Sequence, residues 1–295
     1  MLSRPDDTVQ VGWDPRRAVV VHPPPGLPAR VLAELLRALQ STATIAELQA
    51  LAVGHGADVA VVTALVTHLT ETGVATVAAR RDVRAASIRV HGSGPLSDLL
   101  TASLRCSGVR ISQTSRTHAR SGGADLAVLT DYLVADPRVV RDLHDTGVPH
   151  LAVRVRDGTG LVGPLVIPGV TSCLRCADMH RSDRDAAWPV IATQLCRTVG
   201  TADRATVLAT AALALNEVDH VVRAVRGDCD PQSDPQSDPQ SDPQVGPQVD
   251  PRATLGASPD AWATPPSTLD TTLEFDVAKG SITARRWSRH PDCRC

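Results

Sequence analysis

Apolar and polar positions along the chain change period three times, and each change marks an element or a boundary. Residues 9–22, Val-Gln-Val-Gly-Trp-Asp-Pro-Arg-Arg-Ala-Val-Val-Val-His, read as two short strands about an Asp-Pro turn. Between Leu27 and Leu39, Leu and Val recur at three- and four-residue spacing, which predicts an amphipathic helix. Ser41 or Thr42 is the expected cap of a second helix through Ile45–Leu51. A third helix is expected from Ala57 to Thr72, with Gly73 as its stop and residues 74–79 as a closing strand. Strands, three helices and a strand within 1–80 is the order of a small winged-helix-like α+β domain.

After a polar joint at 80–85 the period alternates between strand and helix. The run from Ser87 to Leu104 reads as a strand, a glycine turn with Gly92, Gly94 and Ser97, and a helix. A second strand begins at Val109. This βαβ unit carries a GxGxxS variant of the dinucleotide fingerprint, in which glycines let backbone approach a phosphate at a helix N-terminus. Pro95 removes one amide from that terminus, so a plain strand-to-helix turn fits the same residues. A third strand, Asp125–Asp131, ends on an acid at the edge where α/β sheets place their sites. A helix from Asp136 to Thr146, with Pro137 at its first position, leads to a strand starting at Val148. A glycine-spaced segment then follows through Gly158, Gly160 and Gly163. Further helices are expected over 190–198 and 202–225, and a hairpin over 271–287 turning at Lys279-Gly280. The charged stretch 177–189 reads as a solvated crossing loop or an interaction segment.

Cysteine placement adds chemistry. Cys173-Leu-Arg-Cys176 and Cys293-Arg-Cys295 are two close thiol pairs more than a hundred residues apart. A CxxC knuckle brings two thiolates to one tetrahedral ion, and a second pair would complete a closed, structural Zn²⁺ site. Two unrelated pairs of ordinary thiols are the simpler alternative, and the CxC of the tail is a tighter bite than usual. Seven cysteines is an odd number and no secretory signal precedes them. Reduced thiols and a cytoplasmic setting are therefore expected. The apolar segment around 210–222 is broken by Asn216, Glu217, Asp219 and His220, which argues against a membrane span. A formal charge of −2 gives no reason to expect nucleic acid, and the third N-terminal helix carries no Arg or Lys for reading DNA.

From Asp228 the composition shifts. Asp-Pro-Gln-Ser repeats from Asp230, Asp234 and Asp238 and decays afterwards. Such a segment supplies no core residues and reads as a disordered linker over 228–266, leaving 267–295 as a hairpin and thiol tail on the main domain.

The GxGxxS turn, the strand ending at Asp131, and the run Gly163-Pro-Leu-Val-Ile-Pro-Gly-Val-Thr-Ser-Cys173-Leu-Arg-Cys176 together resemble the ThiF/MoeB superfamily, the fold of ubiquitin-activating enzymes. The likeness covers 87–295 and implies a Rossmann-like α/β fold, mostly parallel, with a zinc-stapled C-terminal hairpin. The segment from Cys173 to Pro189 with the His-Pro-Asp-Cys-Arg-Cys tail is similar to one subgroup, the cyclodehydratase partner proteins of azole-modified peptide biosynthesis. That resemblance implies an N-terminal domain clamping a precursor's leader peptide for a YcaO-type enzyme, and the back-to-back homodimer common among such proteins. It also implies an ATP/Mg²⁺ site at Gly92, Gly94, Ser97 and Asp131. The departures bear on that site. No acid follows the second strand, Tyr132 stands where the family has Asn, and Lys279, the only lysine, lies on the distal hairpin. Asp131 remains as a Mg²⁺ ligand candidate, and Arg116 or Arg120 could replace a phosphate contact. A phosphoryl-transfer site lacking its cations loses orders of magnitude in rate. The sequence thus predicts an adenylation fold without adenylation, with an active adenylyltransferase as the rival reading. Cys196 reads as a helical core thiol and not as a nucleophile.

Overall fold

The computed structural model describes residues 1–41, 43–72, 74–75, 84–115, 123–226 and 265–295. The chain forms two compact units, Met1–Asp82 and Val83–Cys295.

In the first unit β1 (Leu2–Ser3), β2 (Val9–Val11) and β3 (Val19–Val21) form an antiparallel sheet with β2 in the centre. Three helices follow: α1 (Ala29–Leu39), α2 (Ile45–Gly54) and α3 (Val59–Glu71). The α1 stripe predicted from the sequence is buried through Val31, Leu32, Leu35 and Leu36, which pack with Val9, Leu48 and Val62. Helix α2 is capped by Thr44, not by the expected Ser41 or Thr42. The Thr44 hydroxyl accepts from the Glu47 amide at 3.2 Å, and the Glu47 carboxylate accepts from the Thr44 amide at 2.7 Å. This reciprocal box satisfies two helix-end donors at once, which an isolated hydroxyl upstream cannot do. Ser41 turns back onto the Ala38 carbonyl instead. Thr42, Gly73 and most of the expected closing strand lie outside the described residues.

The second unit is built on a seven-stranded sheet. In chain order it comprises β4 (Ser87–His91), α4 (Pro95–Leu104), β5 (Arg110–Thr114), β6 (Leu126–Thr130), α5 (Pro137–Asp145) and β7 (His150–Arg156). It continues with β8 (Thr159–Val166), α6 (Leu174–Ser182), α7 (Trp188–Leu195), α8 (Arg204–Arg226), β9 (Thr271–Asp276) and β10 (Ser281–Arg286). The strand order is β10-β9-β8-β7-β6-β4-β5. Four strands, β4 to β7, run parallel, and β8, β9 and β10 continue the sheet antiparallel. In β6 successive residues serve opposite faces: Leu126 and Val128 pack with α4 and α8, Ala127 and Leu129 with α5 and the start of α6. Burial on both faces is why this strand reads as an unbroken apolar run.

The segment spaced by Gly158, Gly160 and Gly163 is itself a strand, β8. A side chain at Gly160 would stand 2.1 Å from Thr210 Oγ1, so α8 lies on β8 closer than any larger residue permits. Glycine here records tight helix-on-sheet packing, where the sequence suggested only a connector. Helix α8 is long and apolar enough to cross a bilayer, but it buries Ala214, Val218, Val221 and Val222 in the core of this unit. Its buried Glu217 accepts hydrogen bonds from Ser267 Oγ at 2.7 Å, Thr268 Oγ1 at 2.6 Å and the Thr268 amide at 3.1 Å. That carboxylate fixes the chain where it re-enters the fold. The expected linker, 228–266, lies outside the described residues except for Pro265 and Pro266.

Candidate functional site

Two constellations were expected in this unit, and both are assembled in one place each. Cys173 is the N-cap of α6, and its sulfur accepts from the Cys176 amide at 3.4 Å. The tail returns beside it, bringing Cys173 and Cys293 sulfurs to 3.6 Å, Cys176 and Cys295 to 3.4 Å, and Cys173 and Cys176 to 3.7 Å. A tetrahedral ion with metal–sulfur bonds of about 2.3 Å requires sulfur–sulfur edges of about 3.8 Å. All four sulfurs lie within 4.8 Å of one another, so the cluster could hold one metal ion. Burial pushes the Cys173 thiol up. At Cys176 burial also opposes ionisation, but hydrogen bonds from the backbone of His290 and Cys173 outweigh it and bring that thiol down to about 7.

The tail is held by more than sulfur. His290 accepts from the Asp292 amide at Nδ1 (3.1 Å), which leaves Nε2 to donate to Asp183 at 2.9 Å. His180 packs edge-on against His290 and pairs with the Ser288 carbonyl at 3.1 Å. Behind them Arg181 lies 5.0 Å from the ring centres of both Trp188 and Trp287 and pairs with Asp178 at 2.8 Å. The Trp188 indole donates to that same carboxylate at 3.2 Å. The charged stretch after Cys176 is thus helix and clamp, not a crossing loop. Its signal in the sequence was the pairing of a rare tryptophan with neighbouring opposite charges.

The glycine turn has a different character. Asp131 is buried at 1 % exposure with φ +68°, and its carboxylate points at the start of α4. Oδ1 accepts from the Leu96 amide at 2.9 Å and Oδ2 from the Ser97 amide at 3.2 Å. The Gly94 amide donates to Ser97 Oγ at 3.0 Å, Pro95 has no N–H, and the Asp98 amide bonds the Gly94 carbonyl. Every backbone donor from Gly94 to Asp98 is therefore engaged within the protein. A side chain at Gly94 would stand 2.8 Å from Asp131 Oδ1, and one at Gly92 2.0 Å from Thr130 Oγ1. These glycines admit the loop after β6, and the anion at the helix N-terminus is the protein's own carboxylate.

The remaining expectations are placed as follows. Lys279 sits on the β9–β10 turn, paired with Asp276 at 2.8 Å. Arg116 and Arg120 lie outside the described residues. Cys196 follows α7, its thiol raised by burial and directed at the Ala135 carbonyl at 3.7 Å.

No family model and no characterised protein sequence matches the chain. Solved structures do. A heterocyclase in complex with substrate and cofactor matches with TM-score 0.61 and 14 % identity over 98 % of this chain and 37 % of its own. The heterocyclase TruD matches with TM-score 0.58 and 15 % identity over 98 % of this chain and 41 % of its own. E. coli MccB with MccA-N7isoASN matches with TM-score 0.50 and 11 % identity over 98 % and 97 %. The chain thus spans about two fifths of the length of the heterocyclases it matches. At these identities the likeness establishes the fold alone, a Rossmann-like ThiF-type α/β fold also found in these structures, to which this chain adds a four-cysteine cluster between the start of α6 and the C-terminal tail.

Proposed function

We propose that this protein is a ThiF-like scaffold that binds a precursor peptide for a separate peptide-modifying enzyme and does not itself adenylate. The observation that carries the reading is the Asp131 carboxylate on the Leu96 and Ser97 amides. A nucleotide phosphate would have to displace a buried anion already held by the donors it needs, and no lysine stands near to offset its charge. As a magnesium ligand Asp131 would have to leave the helix end it caps. The fold shared with heterocyclases, one of them captured with substrate and cofactor, supports peptide modification as the setting. In this reading the cyclisation chemistry belongs to an enzyme of YcaO type; the chain itself matches 37 % of that heterocyclase.

Among the described residues of the first unit β3 is an edge of its sheet, with Val19 and Val20 each 41 % exposed. An extended leader peptide adding there would gain main-chain hydrogen bonds without needing charge, which suits a helix α3 lacking Arg and Lys. The four cysteines would hold Zn²⁺, with no open position for substrate, and the ion's role would be to fix the tail; reduced thiolates of this kind suit a cytoplasmic protein.

Calorimetry with ATP and Mg²⁺, followed by pyrophosphate exchange with candidate peptides, tests the reading. No binding and no exchange are expected. Tight binding with exchange would establish the rival adenylyltransferase.

A further inference from the structure

Helix α6 carries more metal-binding side chains than the four-cysteine cluster uses. Cys173, Cys176, His180 and Asp183 recur at spacings of three, four and three residues, which sets all four on one face of the helix. The tail runs back along that face, with Cys293 and Cys295 at the start of α6 and His290 at its end. One donor atom each from His180, Asp183 and His290 lies within 4.8 Å of the other two. His180 and Asp183 follow Cys173 and Cys176 by seven residues each, about 10 Å of helix. The two groups share no ligand. His290 is buried at 5 % exposure, and its Nε2 meets Asp183 Oδ2 at 2.9 Å. The Ser288 carbonyl faces His180 Nε2 at 3.1 Å. A carbonyl only accepts, so that nitrogen carries the proton and Nδ1 keeps the lone pair. Metal-binding imidazoles are oriented by such a bond from their other nitrogen.

We propose that His180, Asp183 and His290 form a second metal site, built of nitrogen and oxygen donors, that takes Zn²⁺ or a similar divalent ion independently of the thiol cluster. The ion displaces the proton that lies between His290 Nε2 and Asp183. That proton moves to Nδ1, where the Asp292 amide gives way to the Asp292 carboxylate 3.9 Å off. A carboxylate behind a ligating imidazole is the usual support for zinc. Bonds of about 2.1 Å set donor–donor edges of about 3.4 Å around a tetrahedral ion. Asp183, 63 % exposed at its side chain, is free to swing to that spacing. The carbonyl end of α6, the negative end of its dipole, favours a cation at this point. Three protein ligands leave the fourth position to water, unlike the closed sulfur cluster. With one anionic ligand against four thiolates, the site fills second, after the cysteines. It goes beyond the scaffold reading and does not rest on it.

The test is titration of the full chain, free of any tag, with Zn²⁺ and then with Co²⁺ as a coloured probe, counting bound metal by equilibrium dialysis. Wild-type protein is expected to take up one equivalent more than His180→Gln. Asp183→Asn keeps an acceptor for His290 and should hold the same equivalent at least about 10-fold more weakly. That second variant keeps the test decisive if H180Q folds poorly. The equivalent that is lost should show Co²⁺ d–d bands without thiolate-to-metal charge transfer. Equal uptake at equal affinity in all three proteins overturns the proposal. A lost equivalent that carries thiolate charge transfer also overturns it, because His180 and Asp183 then only support the sulfur cluster. The comparison is read as a difference between wild type and variants, so it holds whether or not the cysteines bind metal. Absence of any thiolate charge-transfer band counts against the cysteine assignment alone.

Discussion

At the scale of single residues, one buried histidine bears on how the stability of this protein answers pH. His150 opens β7 fully buried, with Nδ1 against the Val148 carbonyl at 3.1 Å and no partner for Nε2. Burial, and the neighbouring His144, push it down to about 4 from an ordinary value of 6.5. The folded protein keeps this ring neutral while the unfolded chain protonates it. Stability should therefore fall as pH drops from 6.5 to 4, by roughly 3 kcal/mol at most for a shift of about 2.5 pH units. Urea midpoints at pH 7 and pH 4.5 measure this, and His150→Phe should flatten the difference; an unchanged slope would assign it elsewhere. Of the candidate site, the four cysteines were legible because thiol spacing is a local pattern. The partners of Asp131 were not. Its role depends on a backbone excursion to φ +68° that turns the carboxylate back onto α4, and nothing in the residues 131–132 announces it.

At the scale of elements, the α6–α7 corner and the terminal hairpin are joined by one guanidinium between two indoles. Arg181→Ala removes both ring contacts and leaves Asp178 without its cation. A loss of about 1–3 kcal/mol in unfolding free energy is expected. Arg181→Lys should recover only part of it, because an ammonium cannot lie flat on two rings. Full recovery by lysine would reduce the stack to simple charge pairing. The thiol cluster acts on the same corner. Purified protein should carry about one zinc per chain, and Cys173→Ser or a chelator should expose the 287–295 tail to protease; a stable, metal-free protein would refute the assignment. Most helices and strands were legible from periodicity. Strand β8 was missed because Gly160, set by the closeness of α8, and Gly163, set against Thr268 and Thr271, erase the alternation by which a strand is recognised. Thr44 was missed as a cap because its meaning depends on Glu47 three residues on.

At the scale of the whole molecule, the sequence pattern and the fold agree on a Rossmann-like α/β unit with a mostly parallel sheet, and the chain divides into two compact units. What patterning did not disclose was a cleft under α7, whose lining residues come from the strands β4, β6 and β7, from helices α5, α6 and α7 and from the loops beside them, and share no motif. If the scaffold reading holds, a variant disrupting the β3 edge, Val20→Pro, should abolish capture of a leader peptide while leaving the melting of the α/β unit in place. Loss of both together would tie the two units into one folding event.

The Glu217 knot reaches beyond the residues it touches. Helix α8 ends at Arg226, the chain is described again from Pro265, and Ser267 and Thr268 are bound to a carboxylate on that same helix. Both ends of the intervening stretch are thus anchored to one rigid body, and the distance between them does not depend on how much chain lies between. If this stretch is the linker that its composition predicts, closing a gap of about 38 residues or one of about 50 differs by only about 0.2 kcal/mol. The number of Asp-Pro-Gln-Ser copies is then almost invisible to stability. Replication slippage could lengthen or shorten the tract without selection for folding ever registering the change.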